Sequence, residues 1–504
     1  MSTKKFVIYA IVILTASVAL RMARIDREFL GNFGQRQVYN AWVARNFVKD
    51  GIDIRGSSMD VLDYYGKKTP SFRDFPVVVP LVAFLTRALG GSIELWGRFT
   101  SVIFFAATYV VLLFLLRKFF DRRTVILSLF AFSFFPMSIV YSQSFILEVS
   151  ALFFVCLGLL FFEKHFRDPG ILALASGAVL IGLAFATRAQ YLVLLLPVSY
   201  LFYRERGLGM FRSAYLYIAM ALMVAVPFVW QAAAWKLAIM NQTQSSLAVT
   251  LKTYVFNSGG LKDSIFMDPE FYRKMFDDFT GIIFNPMGFV FILIGLVTWD
   301  WNRKNLFFPL FLLSLLAMIV IVPDKVYKHD YYFFPIIVPG SVLAGYCIRE
   351  ITGRHARRYV SFVLLALFLA FSLRYSAHPA FKTPLEQSKY MAGADTVKKY
   401  VPKDARVVIA GGDPTFLYYC DRAGWTLEPR TEEKKDRLST EDVLSGGRSS
   451  DDMTEKIEHY ESFGTLYLVI IKEKQDNYGV LRGHISEYYS PVADTDNVEI
   501  YKRR

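Results

Sequence analysis

Asp74, in the run Arg73-Asp74-Phe75-Pro76, stands where a polar stretch of the chain meets an apolar one. A carboxylate at such a boundary lies near lipid headgroups and is still wet enough to meet a soluble reactant. The same residue types serve a second purpose, because Asp ahead of Phe-Pro is good helix-capping chemistry. Arg36 and Gln37 open the stretch 36–47, which can form an amphipathic helix lying along a membrane surface. Arg36 there suits a phosphate, a carboxylate or plain anionic headgroups. Glu148 follows Tyr141-Ser142-Gln143-Ser144-Phe145-Ile146-Leu147 near the end of an apolar run, where an acid must be paired, solvated or protonated. Arg188 sits in a turn between two apolar runs, and a guanidinium there can grip a phosphate diester at two points. Glu148 and Arg188 can equally be a pair that marks the boundary. Lys325, Lys328, His329, Asp330, Tyr331 and Tyr332 form the densest polar cluster within the apolar part, suited to an anionic ligand or to headgroups. His329 beside Asp330 admits a metal reading, although two adjacent residues are only half a ligand set. Asp277-Asp278 reads as a solvated loop pair, and the chain holds no P-loop, nucleophile elbow or zinc signature.

The elements that must carry these residues follow from composition. Of 504 residues, 54% are hydrophobic, 16% aromatic and only 20% charged, with a mean hydropathy of +0.34. The apolar residues fall in blocks of about 15–23, the length a bilayer core of roughly 30 Å asks of a helix. That excludes a soluble enzyme, a disordered chain, a collagen-like repeat and a secreted disulfide scaffold. Of the three cysteines only Cys420 lies in a polar region, so no bridge forms within that region. The net charge of +13 and pI near 9.3 do not argue for nucleic acid, because many of the basic residues sit in short clusters between apolar blocks.

The chain therefore reads as an α-helical polytopic membrane protein of about eleven spans. A basic start is followed by an apolar run, 6–20, favoured as an uncleaved first helix although Ser17-Val18-Ala19 suits a signal peptidase. A long polar loop, 21–75, precedes an apolar piece, 76–89, too short to span and expected at the interface. Spans are expected near 96–116, 124–141, 145–162, 170–187, 190–203, 213–232, 285–299, 305–322, 332–348 and 358–374. The clusters at Arg117 to Arg123, Lys164 to Arg167, Arg204 to Arg212, Arg303-Lys304 and Arg349 to Arg358 then fall on the side of Lys4 and Lys5. The positive-inside rule makes that side cytoplasmic in a multi-pass inner-membrane protein, with the candidate residues on the outer face. From about Ala377 the composition is that of a soluble α/β domain, with strands at 406–410 and 465–471 and helices near 384–400 and 452–462. Two units are expected: a membrane domain, 1–376, and an extracytoplasmic domain, 377–504. Gly411-Gly412-Asp413-Pro414 lacks the glycine spacing of a dinucleotide fingerprint.

In order, these stretches resemble the GT-C type polytopic glycosyltransferases, in the bacterial branch related to protein O-mannosyltransferases and the lipid A aminoarabinose transferase. Arg36-Gln37 with Ala44-Arg45-Asn46-Phe47, Asp74-Phe75-Pro76, Tyr141-Ser142-Gln143 through Glu148, and Lys328-His329-Asp330-Tyr331-Tyr332 carry the likeness, with Leu417-Tyr418-Tyr419 and Arg422-Ala423-Gly424-Trp425 matching more loosely. Gln35 stands where a Trp is usual, and the Asp-Glu pair of the eukaryotic mannosyltransferases is absent at Gln35-Arg36. The resemblance implies transfer of one sugar from a polyprenyl phosphate to a hydroxyl of a protein, lipid or glycan on the outer face of the membrane, without nucleic acid and with inversion. It implies Asp74 as the base, with Asp26 and Glu28 as runners-up. Donor binding falls to Arg36, Gln37, Glu148, Arg188, Lys325, Lys328, His329, Asp330 and Tyr331. No cofactor is required by it, and a divalent cation stays open. A secondary transporter would instead show inverted repeats and mid-membrane charges, and neither is evident. A non-catalytic protein of lipid-linked glycan assembly is the other alternative.

Overall fold

The computed structural model describes residues 1–31, 34–71, 74–240, 265–302, 305–354, 358–381, 385–411, 413–427, 453–464 and 466–504. Helix α1 (Thr3–Met22) is capped by Ser2 and leads into the first loop, which holds α2 (Gly34–Asp50), β1 (Ser58–Leu62) and β2 (Lys68–Pro70). Then come α3 (Val78–Leu89), α4 (Ile93–Leu116), α5 (Arg122–Phe134), α6 (Pro136–Tyr141), α7 (Glu148–Arg167) and α8 (Ile171–Thr187). Ser92 and Asp121 cap α4 and α5 by accepting from amides of the first turn.

Six described segments are long and apolar enough to cross a bilayer: Thr3–Met22, Ile93–Leu116, Glu148–Arg167, Ala214–Ala234, Asp330–Thr352 and Tyr359–Ala377. Pro269–Ile283 and Asn285–Val297 make a seventh if the pair, bent by 101°, is one broken span. The expected count of about eleven is thus not confirmed, for local reasons. The segment 124–141 is split at Phe135, because Pro136 brings no N–H to continue the ladder and opens a new helix instead. The segment 190–203 starts as a 3-10 turn, Ala189–Leu194, and its helix Leu195–Arg206 has 12 residues. At 1.5 Å per residue such a helix reaches roughly 18 Å. The piece 76–89 is the short helix α3, with Val78, Val79, Val82 and Ala83 buried and Phe84 and Leu89 exposed.

Beyond the membrane helices lie β3 (Arg406–Ala410), β4 (Ala423–Leu427), β5 (Leu466–Ile471), β6 (Tyr489–Asp494) and β7 (Val498–Arg503). The sheet order is β2-β1-β4-β3-β5-β7-β6, parallel from β1 to β5 and antiparallel towards both edges. β3 and β5 are nearly continuous apolar runs, as strands covered on both faces must be. Val407, Ile409, Tyr467 and Val469 join α2 and the helix Leu385–Tyr400 in one core. Val408, Ala410, Leu468 and Ile470 join the helix Met453–Glu461 in another. Two of the seven strands come from the first loop, so the sheet crosses the division at residue 376 that composition suggested. Where β4 meets β3 only glycine fits, since a Cβ on Gly424 would stand 1.9 Å from the Val407 carbonyl oxygen.

The first loop also corrects the reading of α2. Its apolar face, Val38, Ala41, Trp42 and Phe47, is buried against α3 and the sheet, so protein covers the face expected to lie on lipid. The basic clusters gather at the far end of the bundle. Arg122 reaches the Met1 carbonyl, Arg123 reaches Thr352, Arg349 pairs with Asp121 and Arg204 with Glu163. At the near end, Arg21 in the last turn of α1 is buried and donates to Ser142, Ser138 and the Ser133 carbonyl that the α5–α6 break leaves open. Arg303, Lys304 and Arg357 lie outside the described residues.

Candidate active site

At the near end the four expected residues Arg36, Asp74, Arg188 and Glu148 form one chain of ion pairs. Arg36 Nη2 lies 2.9 Å and Arg188 Nη1 2.8 Å from the same Asp74 oxygen, Oδ2. Arg188 turns its other edge to Glu148, with Nε 2.8 Å from Oε1 and Nη2 donating to Oε2 at 3.0 Å. Two cations and two carboxylates balance. Burial works against the charge of either arginine, and Arg188 also opposes that of Arg36, yet Asp74 and Glu148 outweigh this and raise both guanidinium pKa values.

Local structure explains the placement. Asp74 is not spent on capping: Val77 occupies the N-cap of α3 and no side chain caps that helix. Instead the Phe75 amide donates to the Ala186 carbonyl at 3.1 Å, strapping Asp74 to the end of α8. Phe75 also packs edge-on against Trp230. Arg188 is the C-cap of α8, and Glu148 stands in the first turn of α7, where the helix dipole favours an anion. Arg36 rides on the first turn of α2. That helix is held to the turn before α7 by Gln37, whose Oε1 accepts from the Phe145 amide at 3.0 Å, and by Asn40, which donates to the Phe145 carbonyl at 2.9 Å.

Exposure sorts the four. The side chains of Asp74 and Arg36 are 23% and 21% exposed, while those of Arg188 and Glu148 are 2% and 0% exposed. Glu148, expected to bind the donor, is sealed inside with both oxygens against Arg188. Gln37 is likewise buried and spent on the Phe145 amide. Arg188 faces Asp74 and Glu148 rather than solvent.

The 3-10 segment Asp330–Ile336, which follows the short helix Pro323–Lys328, comes up to this chain through Tyr331. Tyr331 is buried within electrostatic reach of Arg36 and Arg188. Asp330 accepts a hydrogen bond from Tyr141, and His329 stacks on Tyr331 and Tyr332. Lys328 is exposed and Lys325 half-buried. Asp277 and Asp278 are not merely solvated: Asp278 pairs with Lys274 at 2.5 Å. Asp26 is exposed and Glu28 half-buried, in the segment joining α1 to α2. That segment is tied to α4, where Arg98 donates to the Glu28 carbonyl at 2.9 Å. Neither acid is a member of the ion-pair chain around Asp74.

Among the described residues no three His, Cys, Asp or Glu side chains converge on a point. His329 and Asp330 find no third such ligand among the described residues.

Three contributors were not singled out from the sequence. Tyr141 belongs to a quoted stretch but was given no role, and Tyr191 donates to the Glu148 carbonyl at 3.2 Å. Asn40 was legible in principle, since it lies four residues after Arg36 and three after Gln37 on one helical face.

Comparison with known proteins bears on the fold. Residues 74–231, which hold Asp74, Glu148 and Arg188, match the family described as dolichyl-phosphate-mannose-protein mannosyltransferase. A search of the curated proteins finds no match. Among solved structures, ArnT from Cupriavidus metallidurans bound to undecaprenyl phosphate superposes with a TM-score of 0.69 at 12% identity, covering 99% of this chain and 98% of that one. The archaeal oligosaccharyltransferase AglB from Archaeoglobus fulgidus, in complex with an inhibitory peptide and a dolichol-phosphate, gives 0.59 at 12% identity, covering 97% and 73%. The arabinofuranosyltransferase AftD from Mycobacteria gives 0.56 at 14% identity, covering 99% of this chain and 40% of that one. The chain is a multi-pass membrane protein that shares the fold of ArnT, AglB and AftD, and its residues 74–231 match the dolichyl-phosphate-mannose-protein mannosyltransferase family.

Proposed function

We propose that this protein is a glycosyltransferase that moves a single sugar from a polyprenyl-phosphate donor to a hydroxyl acceptor on the outer face of the membrane, with inversion. The observation that carries the reading is a solvent-reachable carboxylate, Asp74, gripped by two guanidinium groups at the bundle end opposite the basic clusters. The fold shared with ArnT, whose solved complex holds undecaprenyl phosphate, supports a donor of that class.

In this reading Arg36, the reachable arginine, takes the donor phosphate with help from Lys325 and Lys328 and steadies it as leaving group. The acceptor oxygen attacks the anomeric carbon as the bond from that carbon to the phosphate oxygen breaks. Asp74 takes the hydroxyl proton, and polyprenyl phosphate leaves with the electron pair. Such proton removal is worth about 10²–10⁴ in rate. The N-terminus is then cytoplasmic and the sheet extracytoplasmic, which an active alkaline phosphatase fusion at the C-terminus would support and a silent one would oppose.

The test uses detergent-purified protein, a panel of polyprenyl-phosphate sugars and mass spectrometry of released polyprenyl phosphate. Release from at least one donor is expected. A panel that is neither cleaved nor bound contradicts the reading and favours a transporter.

A further inference from the structure

The two arginines on Asp74 are held in different ways. Arg36 reaches it from a helix rim open to solvent, whereas Arg188 is enclosed and anchored from behind by Glu148. We propose that Glu148 is a positioning residue for this site: it acts through Arg188 to hold Asp74 in place, and neither Glu148 nor Arg188 touches the donor. The inference rests on the reading of Asp74 as proton acceptor.

Three chain segments meet at this point, and each is pinned by backbone as well as side chain. The start of α7 carries Glu148, whose carbonyl accepts from the Tyr191 hydroxyl. The end of α8 carries Arg188, whose amide donates to the Ala184 carbonyl at 2.8 Å. The segment with Asp74 is tied to α8 two residues earlier, at Ala186. Glu148 holds the guanidinium by a hydrogen bond from Nη2 to Oε2 at 3.0 Å and by an ion-pair contact of 2.8 Å between Nε and Oε1, and contact at two atoms restrains the orientation of the group as well as its place. The remaining edge, Nη1, then points at Asp74 Oδ2. An amide at 148 keeps one acceptor and turns an NH₂ towards the cation, so the plane is no longer fixed. An aspartate keeps the charge but is one methylene short. Tyr141 adds to this surround, since it donates to Asp330 and lies within electrostatic reach of Glu148.

The experiment compares full-length wild type, Glu148→Gln, Glu148→Asp, Arg36→Ala and Asp74→Asn in detergent, measuring turnover of the donor and the Kd for undecaprenyl phosphate. Glu148→Gln should lower kcat about 10²-fold, the loss that a misplacement near 1 Å produces. Its Kd for undecaprenyl phosphate should stay within about twofold of wild type, whereas Arg36→Ala should raise Kd. In an Asp74→Asn background Glu148→Gln should add almost nothing, because the group it positions is gone. Glu148→Asp should fall between the two and serves if Glu148→Gln does not fold. The inference is overturned if Glu148→Gln raises Kd as Arg36→Ala does, or if it lowers kcat equally with and without Asp74. Should wild type turn over no donor, the functional reading fails on its own. The inference is then judged by thermal unfolding: Glu148→Gln must lower Tm when Arg188 is present and not in an Arg188→Met background, and an equal drop in both sinks it.

Discussion

Replacing Arg45 by methionine keeps most of the side-chain volume and removes the guanidinium that joins α2 to the sheet. That group lies 4.2 Å over the Tyr418 ring, donates to the Tyr418 carbonyl at 3.0 Å, and stands 3.1 Å from Asp421 and 3.7 Å from Asp60. The carboxylates keep other cations, Lys49 at 3.3 Å for Asp421 and Lys68 at 2.9 Å for Asp60, so no charge is stranded. The Tyr418 carbonyl keeps the Asp421 amide as donor. What is lost is a partly desolvated cation–π contact, about 1–2 kcal/mol, and a hydrogen bond worth about 0.5–1.5 kcal/mol net. The loss, near 1.5–3.5 kcal/mol, should fall on the docking of the helix Pro414–Cys420 and strand β4, where β1 contributes only the pair Val61 with Gly424. Hydrogen exchange by mass spectrometry reads it as faster exchange over 414–427, by about 10- to 400-fold, with α4 and α7 unchanged. Arg45→Lys, which keeps the charge without the planar fork, should fall between. Unaltered exchange at 414–427, or equal acceleration throughout the chain, would refute the reasoning.

Other outcomes follow from the same contacts. Gly424→Ala forces a Cβ against the Val407 carbonyl and should destabilise the sheet by about 1–3 kcal/mol or more, read as earlier unfolding of the sheet in a thermal scan. Arg188→Met strands the Glu148 carboxylate inside the protein and should cost about 3–5 kcal/mol, most of which Arg188→Met with Glu148→Gln should recover. Glu499 is held below its ordinary 4.5 chiefly by the Arg482 hydrogen bond, against the opposing effect of burial. Its stabilising contribution is therefore complete above pH 4.5 and fades as pH falls through the lowered value in the folded state. The Tm gap between wild type and Arg482→Ala should accordingly shrink on acidification below pH 4.5, and a gap that widens would contradict the sign.

The ion-pair chain was legible as a set of residues but not as a set of bonds. Asp74, Glu148 and Arg188 lie at the ends of apolar runs and Arg36 in the polar loop before them, so the alternation of apolar and basic segments put them on one side of the bundle. Their pairings span 38, 114 and 40 residues, and no local periodicity encodes such distances. The burial of Glu148 depends on how α7 and α8 meet, which the sequence of either helix does not state. The apolar stripe of α2 was read correctly as a stripe, yet lipid and protein ask for the same residues, and β1 and the 414–420 helix supplied the partner. The strands β3 and β5 were visible as apolar runs, whereas β1, Ser-Met-Asp-Val-Leu, owes its place in the sheet to Gly424 and Trp425, more than 360 residues away. The expected strand start at Thr465, the helix start at 384 and 452, Arg73 and Gly412 lie outside the described residues.

The most direct test of the account is the rate at which Asp74→Asn releases polyprenyl phosphate from a donor that wild type accepts, measured with a saturating acceptor. The substitution keeps the size of the side chain and removes its capacity to take a proton. A folded variant should bind undecaprenyl phosphate and turn over at least about 10²-fold more slowly. Release at the wild-type rate from that folded variant would contradict the central claim and move the proton acceptor to Asp26 or Glu28.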